Sequence, residues 1–132
     1  MSHSSVPLSS SQQGLYFDCQ LRHSSDHHVV LHLSVDPVDP DRLRAAVVAV
    51  MAEQPALRSA IRNDRDGLAY VIDDSAGVPH TTHDLRGDAG GLAPLVDALG
   101  TAPFDLRAAP LFRTAHIRLD DDDRLVLVCH HL

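Results

Sequence analysis

The chain has no lysine, a single glutamate, two cysteines and no long apolar run among its 132 residues. Each shortage excludes something. No stretch approaches the roughly eighteen consecutive apolar residues that a membrane-spanning helix requires, so a membrane is not an expected partner. The opening Met1-Ser2-His3-Ser4-Ser5 carries neither the basic nor the apolar region of a secretory signal, which makes the cytoplasm the expected location. Eleven arginines face eighteen acids, for a formal net charge of −7. Proteins that grip a phosphate backbone concentrate cations on one face, so nucleic acid is not an expected partner either. The exclusive use of arginine and the near-exclusive use of aspartate are compositional biases that assign no chemistry. Cys19 and Cys129 lie far apart in apolar segments, the setting of buried free thiols rather than of a disulfide. There is no glycine-rich phosphate cradle, no Gly-x-Ser-x-Gly elbow and no Cys-x-x-Cys pair.

What is present suits one folded unit. An apolar fraction of 44% over this length supports a single core. Residues 8–21 read as a helix, because Ser9 and Gln12 have the spacing of a capping box and Leu15 and Cys19 share a face. Gly14 inside it costs about 1 kcal/mol against alanine, so it either marks close packing or is incidental. Residues 22–28 read as a polar loop. Residues 29–35 alternate at period two, with Val29, Leu31, Leu33 and Val35 on one face of a strand.

Asp39 as N-cap and Pro40 at the first helical position open the clearest helix. Its apolar stripe is Leu43, Ala46, Val47, Val50 and Met51, and Pro55 should end it. Residues 57–62 and 68–73 look like a hairpin around Asn63-Asp64-Arg65-Asp66-Gly67. A weaker strand over 80–85 precedes a helix over 90–100 with Leu92, Leu95, Val96 and Leu99 as its apolar positions. Strands over 111–119 and 124–130 follow, joined by Asp120-Asp121-Asp122-Asp123 as a solvated hairpin turn. The last strand is apolar on both faces, the pattern of a central strand. Interspersed helices and strands place the fold in the mixed α/β (α+β) class.

The chemistry-bearing candidates are histidines. His130 and His131 end the last strand, and an imidazole titrates near neutrality and can take a proton from a nucleophile. Strand parity separates them: His131 continues the Leu125, Leu127, Cys129 face, and His130 continues the Val126, Val128 face. From spacing alone, a functional pair and two packed terminal residues both stand. His27-His28, His80-x-x-His83 and His130-His131 also raise metal binding, but no pair has the cysteine or carboxylate companions of a zinc site, and no metal is expected. The four-aspartate run lacks the ligand alternation and glycine of a calcium loop.

Taken in order, several stretches resemble the condensation domains of nonribosomal peptide synthetases. Pro7-Leu8-Ser9-Ser10-Ser11-Gln12-Gln13-Gly14-Leu15-Tyr16-Phe17 is similar to the family's opening motif of serine, glutamine and an aromatic residue. The helix through Met51 followed by Pro55-Ala56-Leu57-Arg58 resembles the second motif. There Glu53-Gln54-Pro55 replaces the family's Arg-His-Glu triplet, so only the Leu57-Arg58 step carries over. Pro103-Phe104-Asp105-Leu106 and Pro110-Leu111-Phe112-Arg113 match the stretch before the catalytic hairpin. Val128-Cys129-His130-His131-Leu132 then matches the start of the His-His-x-x-x-Asp-Gly motif.

The resemblance implies the N-terminal lobe of a two-lobed, chloramphenicol acetyltransferase-like domain, with residues 1–132 covering about its first third and the second lobe absent. In the family a tunnel between the lobes admits the phosphopantetheine arms of donor and acceptor carrier proteins, and no cofactor is bound directly. The resemblance assigns catalysis to His131, as base toward the attacking amine or as the group that positions it. It makes His130 and Arg58 structural, with Arg58 pairing the motif's aspartate, which would lie four residues beyond His131. The expected partners are the two carrier proteins and adjacent synthetase domains, and the expected activity is amide formation in secondary-metabolite (antibiotic) biosynthesis. The chain alone is expected to be inactive and its uncovered lobe to self-associate. The alternatives are a non-catalytic module that docks a carrier protein or another synthetase domain, and a related ester-forming or starter acyltransferase. With five residues before Val6-Pro7, a carrier domain upstream is not expected, so the donor would come from elsewhere.

Overall fold

Ser9 and Gln12 close the expected capping box. The Ser9 amide donates to Gln12 Oε1 at 2.8 Å, and the Gln12 amide donates to Ser9 Oγ at 3.2 Å. Helix α1 runs Ser10–Arg22 behind this cap, preceded by a short strand, β1, Ser5–Pro7, that periodicity does not mark. The computed structural model describes residues 5–22, 25–65 and 67–132. The first four residues, residues 23–24 of the expected loop and Asp66 of the expected turn lie outside the described residues. Gly14 is exposed, and a Cβ built on it meets nothing within 4 Å. Of the two readings the incidental one holds, because Gly14 sits on the solvent side of α1.

Strand β2, His28–Val35, leads through Val38 to the Asp39 cap, whose Oδ1 accepts from the amides of Asp41 at 2.8 Å and Arg42 at 3.4 Å. Helix α2 then spans Pro40–Glu53. The strand expected from residue 57 begins two residues later, as β3, Ser59–Asp64, because Pro55–Arg58 form a 3-10 turn. Ser59 Oγ donates to Pro55 O at 3.0 Å across this turn. The remaining elements are β4 Gly67–Ile72, β5 His80–Asp84, α3 Leu92–Thr101, β6 Phe112–Arg118 and β7 Asp123–His130. Pro94 is tolerated in α3 because it lies in the first turn, where a missing N–H breaks no helical bond.

Two sheets result. One has the order β1-β4-β3 and is antiparallel; the other has the order β2-β7-β6-β5, with only β5 and β6 parallel. β7 is thus central, as its two apolar faces require. One face of the larger sheet, with Ala115, Ile117, Val126 and Val128, is buried under Leu92, Leu95, Val96 and Leu99 of α3. Leu8, Ile61, Leu68 and Leu106 form a second core beside Tyr16 and Cys19, and Phe104 packs against both.

The opposite face of the larger sheet is only partly covered. Leu43, Ala46, Val47 and Val50 of α2 face Phe112, Thr114, Leu125, Leu127 and Cys129 across a cavity of about 250 Å³. Of the α2 stripe only Met51 is buried. Edge strand β2 leaves Val29, Leu31 and Leu33 between 40% and 50% exposed. Alternation predicted the faces correctly: α2 lies over the β6–β7 part of this face, where Phe112 and Thr114 are buried, and among the described residues nothing covers its β2 edge.

The aspartate run is not a uniform solvated turn. Asp123 is 2% exposed and pairs with the fully buried His116, Nε2 to Oδ2, at 2.6 Å. Its Oδ2 also accepts from the Val38 amide at 3.1 Å. Parity explains the difference: Asp123 opens β7 in register with Arg118 and Val35, so its side chain belongs to the sheet and not to the turn.

Candidate functional site

The β2–β7 ladder sets the site. His130 lies opposite His28, and its amide donates to Leu111 O at 3.0 Å. The His131 amide, one residue beyond β7, donates to His27 O at 2.8 Å. The Leu132 amide donates to His130 Nδ1 at 3.2 Å, and Tyr70 Oη donates to Leu132 O. The backbone on both sides of His131 is therefore held while His131 itself is exposed.

His130 turns into the molecule. Its Nε2 lies 3.4 Å from Cys19 Sγ, and its ring meets His28 and Phe104 edge-on at centroid distances of 5.7 Å and 6.2 Å. Because Nδ1 accepts the Leu132 amide, the proton of the neutral ring sits on Nε2 and points at the sulfur. A pocket of about 200 Å³ is lined here by Cys19, His28, Thr101, Phe104, Leu106 and His130. Burial, and secondarily His28, His27 and His131, depresses the His130 pKa to about 4. Burial raises the pKa of Cys19, with Asp18 adding to the effect, and burial alone raises that of Cys129. Neither thiol is an activated nucleophile. Both are free, as expected, but partly rather than fully buried, because each lines a pocket.

His28 and His27 complete the surroundings. His28 Nδ1 lies 2.8 Å from Gly100 O at the end of α3. His27 Nε2 lies 2.7 Å from Asp18 Oδ2, and Arg22 Nε is 2.9 Å from the other carboxylate oxygen. The hydrogen bond from His27 holds the Asp18 pKa below the usual carboxylate value. Sequence spacing did not signal Asp18, Cys19 or Phe104, because the residues meeting His130 come from three elements separated by up to 111 positions.

Arg58 occupies a different place. Its Nη1 donates to Met51 O at 2.6 Å and Ala52 O at 2.8 Å, closing the last turn of α2, and its Nε is 3.4 Å from exposed Asp74. His80 and His83 diverge: His80 Nδ1 lies 2.7 Å from Thr114 Oγ1, while His83 Nε2 lies 2.9 Å from Thr81 Oγ1. Among the described residues no group of three or more histidine, cysteine or acidic side chains could hold a metal ion. None of their helices is long and apolar enough to cross a membrane.

The histidine pair thus stands at the end of a central strand, on a mixed α/β lobe whose larger sheet is left uncovered along β2. The family model described as "Condensation domain" matches residues 2–132, and the chain belongs to that family. It is 32% identical over 133 residues to phosphinothricin tripeptide synthetase PhsC of Streptomyces viridochromogenes, covering 96% of this chain and 12% of that protein. It is 28% identical over 135 residues to chondramide synthase cmdD of Chondromyces crocatus, covering 96% and 4%. The chain thus spans a small part of the curated relatives it matches. The starter condensation domain of rhizomide synthetase RzmA superposes with a TM-score of 0.88 at 22% identity, over 97% of this chain and 32% of that one. The first condensation domain of the CDA synthetase gives 0.85 at 19%, over 99% and 36%. At these identities the likeness is one of fold, and it bears out the mixed α/β lobe.

Proposed function

We propose that the chain forms the first portion of a condensation domain in which His131 serves amide formation between two carrier-bound substrates. The acceptor's amine nitrogen attacks the carbonyl carbon of the donor thioester. The C–N bond forms, the C–S bond breaks, and the donor's phosphopantetheine thiol leaves. The proton lost by the amine passes by way of His131 to the departing sulfur. One observation carries this reading: His131 stands exposed just beyond a buried central strand, with its backbone fixed on both sides.

In the same reading, carrier proteins and neighbouring synthetase domains are the partners, the arms arrive as substrates, and the setting is cytoplasmic. His130 and Arg58 are structural, His130 by its bonds to Cys19 and Leu132 and Arg58 by closing α2. Catalysis by proximity needs both reactants held at near-attack geometry, and the described lobe supplies one wall. The test is an assay with loaded donor and acceptor carriers. The chain alone should yield no product above its His131→Ala control. Joined to the remainder of a condensation domain it should yield product, reduced roughly 10²–10⁴-fold by His131→Ala. Product unaffected by that substitution overturns the reading. We further infer that the exposed apolar residues of β2 and its free edge make the isolated chain self-associate.

A further inference from the structure

We propose that Asp18 and Cys19, adjacent residues of α1, are positioning residues for His131, each holding one side of its backbone through another histidine. The proposal rests on the assignment of His131 given above. On the N-terminal side, the His131 amide donates to His27 O at 2.8 Å, and the His27 ring is anchored by Asp18 at 2.7 Å. On the C-terminal side, the Leu132 amide donates to His130 Nδ1 at 3.2 Å, and that ring's other nitrogen meets Cys19 Sγ at 3.4 Å.

The two arms need different chemistry. His27 is oriented by a carboxylate that also meets Arg22 at 2.9 Å, a charge-assisted contact with a fixed direction. His130 must keep Nδ1 free of a proton to accept the Leu132 amide. That requires an acceptor, not a donor, opposite Nε2, and the uncharged sulfur of Cys19 supplies one. A cation at position 19, which can only donate, would favour the other tautomer and release Leu132. Two neighbouring side chains on one helical turn thereby fix φ and ψ around the exposed imidazole, while neither of them touches a substrate.

The experiment uses the 15N-labelled chain as it is. Long-range nitrogen–proton correlation should find His130 as the Nε2–H tautomer, and the amides of His131 and Leu132 should exchange far more slowly than in a free peptide. Asp18→Ala should speed exchange at His131, and Cys19→Ala at Leu132, each roughly tenfold, the equivalent of about one hydrogen bond. Val126 and Val128 should stay protected. Cys19→Ser, which keeps an acceptor, should restore the wild-type rate at Leu132 to within about threefold.

The proposal is overturned if wild-type His130 is the Nδ1–H tautomer, if the His131 amide exchanges like a free peptide, or if both alanine variants leave both amides unchanged. Should a variant fail to fold, the wild-type tautomer and protection decide alone. None of these readouts requires turnover. A rigid His131 whose alanine substitution leaves the product of the joined domain unchanged refutes the catalytic assignment alone, and a loose His131 in a joined domain whose product depends on it refutes the clamp alone.

Discussion

Asp123→Ala should be among the costliest single substitutions in this chain. Asp123 is 2% exposed, and its Oδ2 accepts from His116 Nε2 at 2.6 Å and from the Val38 amide at 3.1 Å. His116 is fully buried, and its Nδ1 has no partner among the described residues. Removing the carboxylate strands two buried donors at about 1–3 kcal/mol each. The sum overlaps the roughly 3–5 kcal/mol for breaking a buried pair by removing one member. About 4 kcal/mol is the expected loss, a large fraction of the roughly 5–15 kcal/mol that holds a domain together.

Urea unfolding followed by circular dichroism reads this directly. With a slope of about 2 kcal/mol per molar, the midpoint should fall by about 2 M. Asp123→Asn keeps one acceptor oxygen and should lose about half as much. Pairing His116→Leu with Asp123→Leu should cost clearly less than the sum of the single changes, because the pair is then absent rather than broken. A midpoint shift below about 0.3 M for Asp123→Ala, at unchanged slope, would refute the assignment of this pair as a structural tie between the β6–β7 hairpin and the approach to α2.

Stability should also fall as pH is lowered from about 6.5 toward 4. His130 titrates near 4 in the folded chain against 6.5 for an ordinary histidine, so the unfolded state binds more protons in that window. Burial depresses His80 in the same direction, and urea midpoints at pH 7.5 and 4.5 test it, with a flat profile contradicting it. Arg58→Ala removes two carbonyl partners at the end of α2 and should cost about 1.5–3 kcal/mol, partly recovered by Arg58→Lys in the same unfolding assay. Leu31→Lys, on a half-exposed position of edge strand β2, should change stability by less than about 0.5 kcal/mol while dispersing the expected self-association. Sedimentation at several concentrations decides this, and a wild-type chain that is monomeric throughout removes the premise.

Local chemistry was legible wherever its cause lay within a few residues. The Ser9–Gln12 box, the Asp39–Pro40 start of α2 and the doubly apolar β7 each rest on contacts or parities close in the chain, and each formed as read. The open or mistaken readings share the opposite property. Gly14 stayed open between a packing and an incidental role, because the neighbour that would decide it is a matter of tertiary surroundings. Asp123 looked like the last member of a solvated run because its three predecessors are turn residues. It became a buried anchor because strand register carries its side chain inward to His116.

The histidine pair divides along the same line. The residues by themselves determined that a central strand would deliver His130 and His131 to its end, and that the two rings would diverge, since side-chain alternation is a property of any strand. They also determined the family, through motifs in a fixed order. Only the tertiary structure decided that His130 is a neutral, inward ring between Cys19 and the Leu132 amide, that Asp18 braces His27 behind His131, and that Arg58 closes α2. Those contacts join residues from α1, β2, β7 and the α2 terminus. The hydrogen bonds they make depend on sub-ångström approach between elements, which no spacing along the chain encodes.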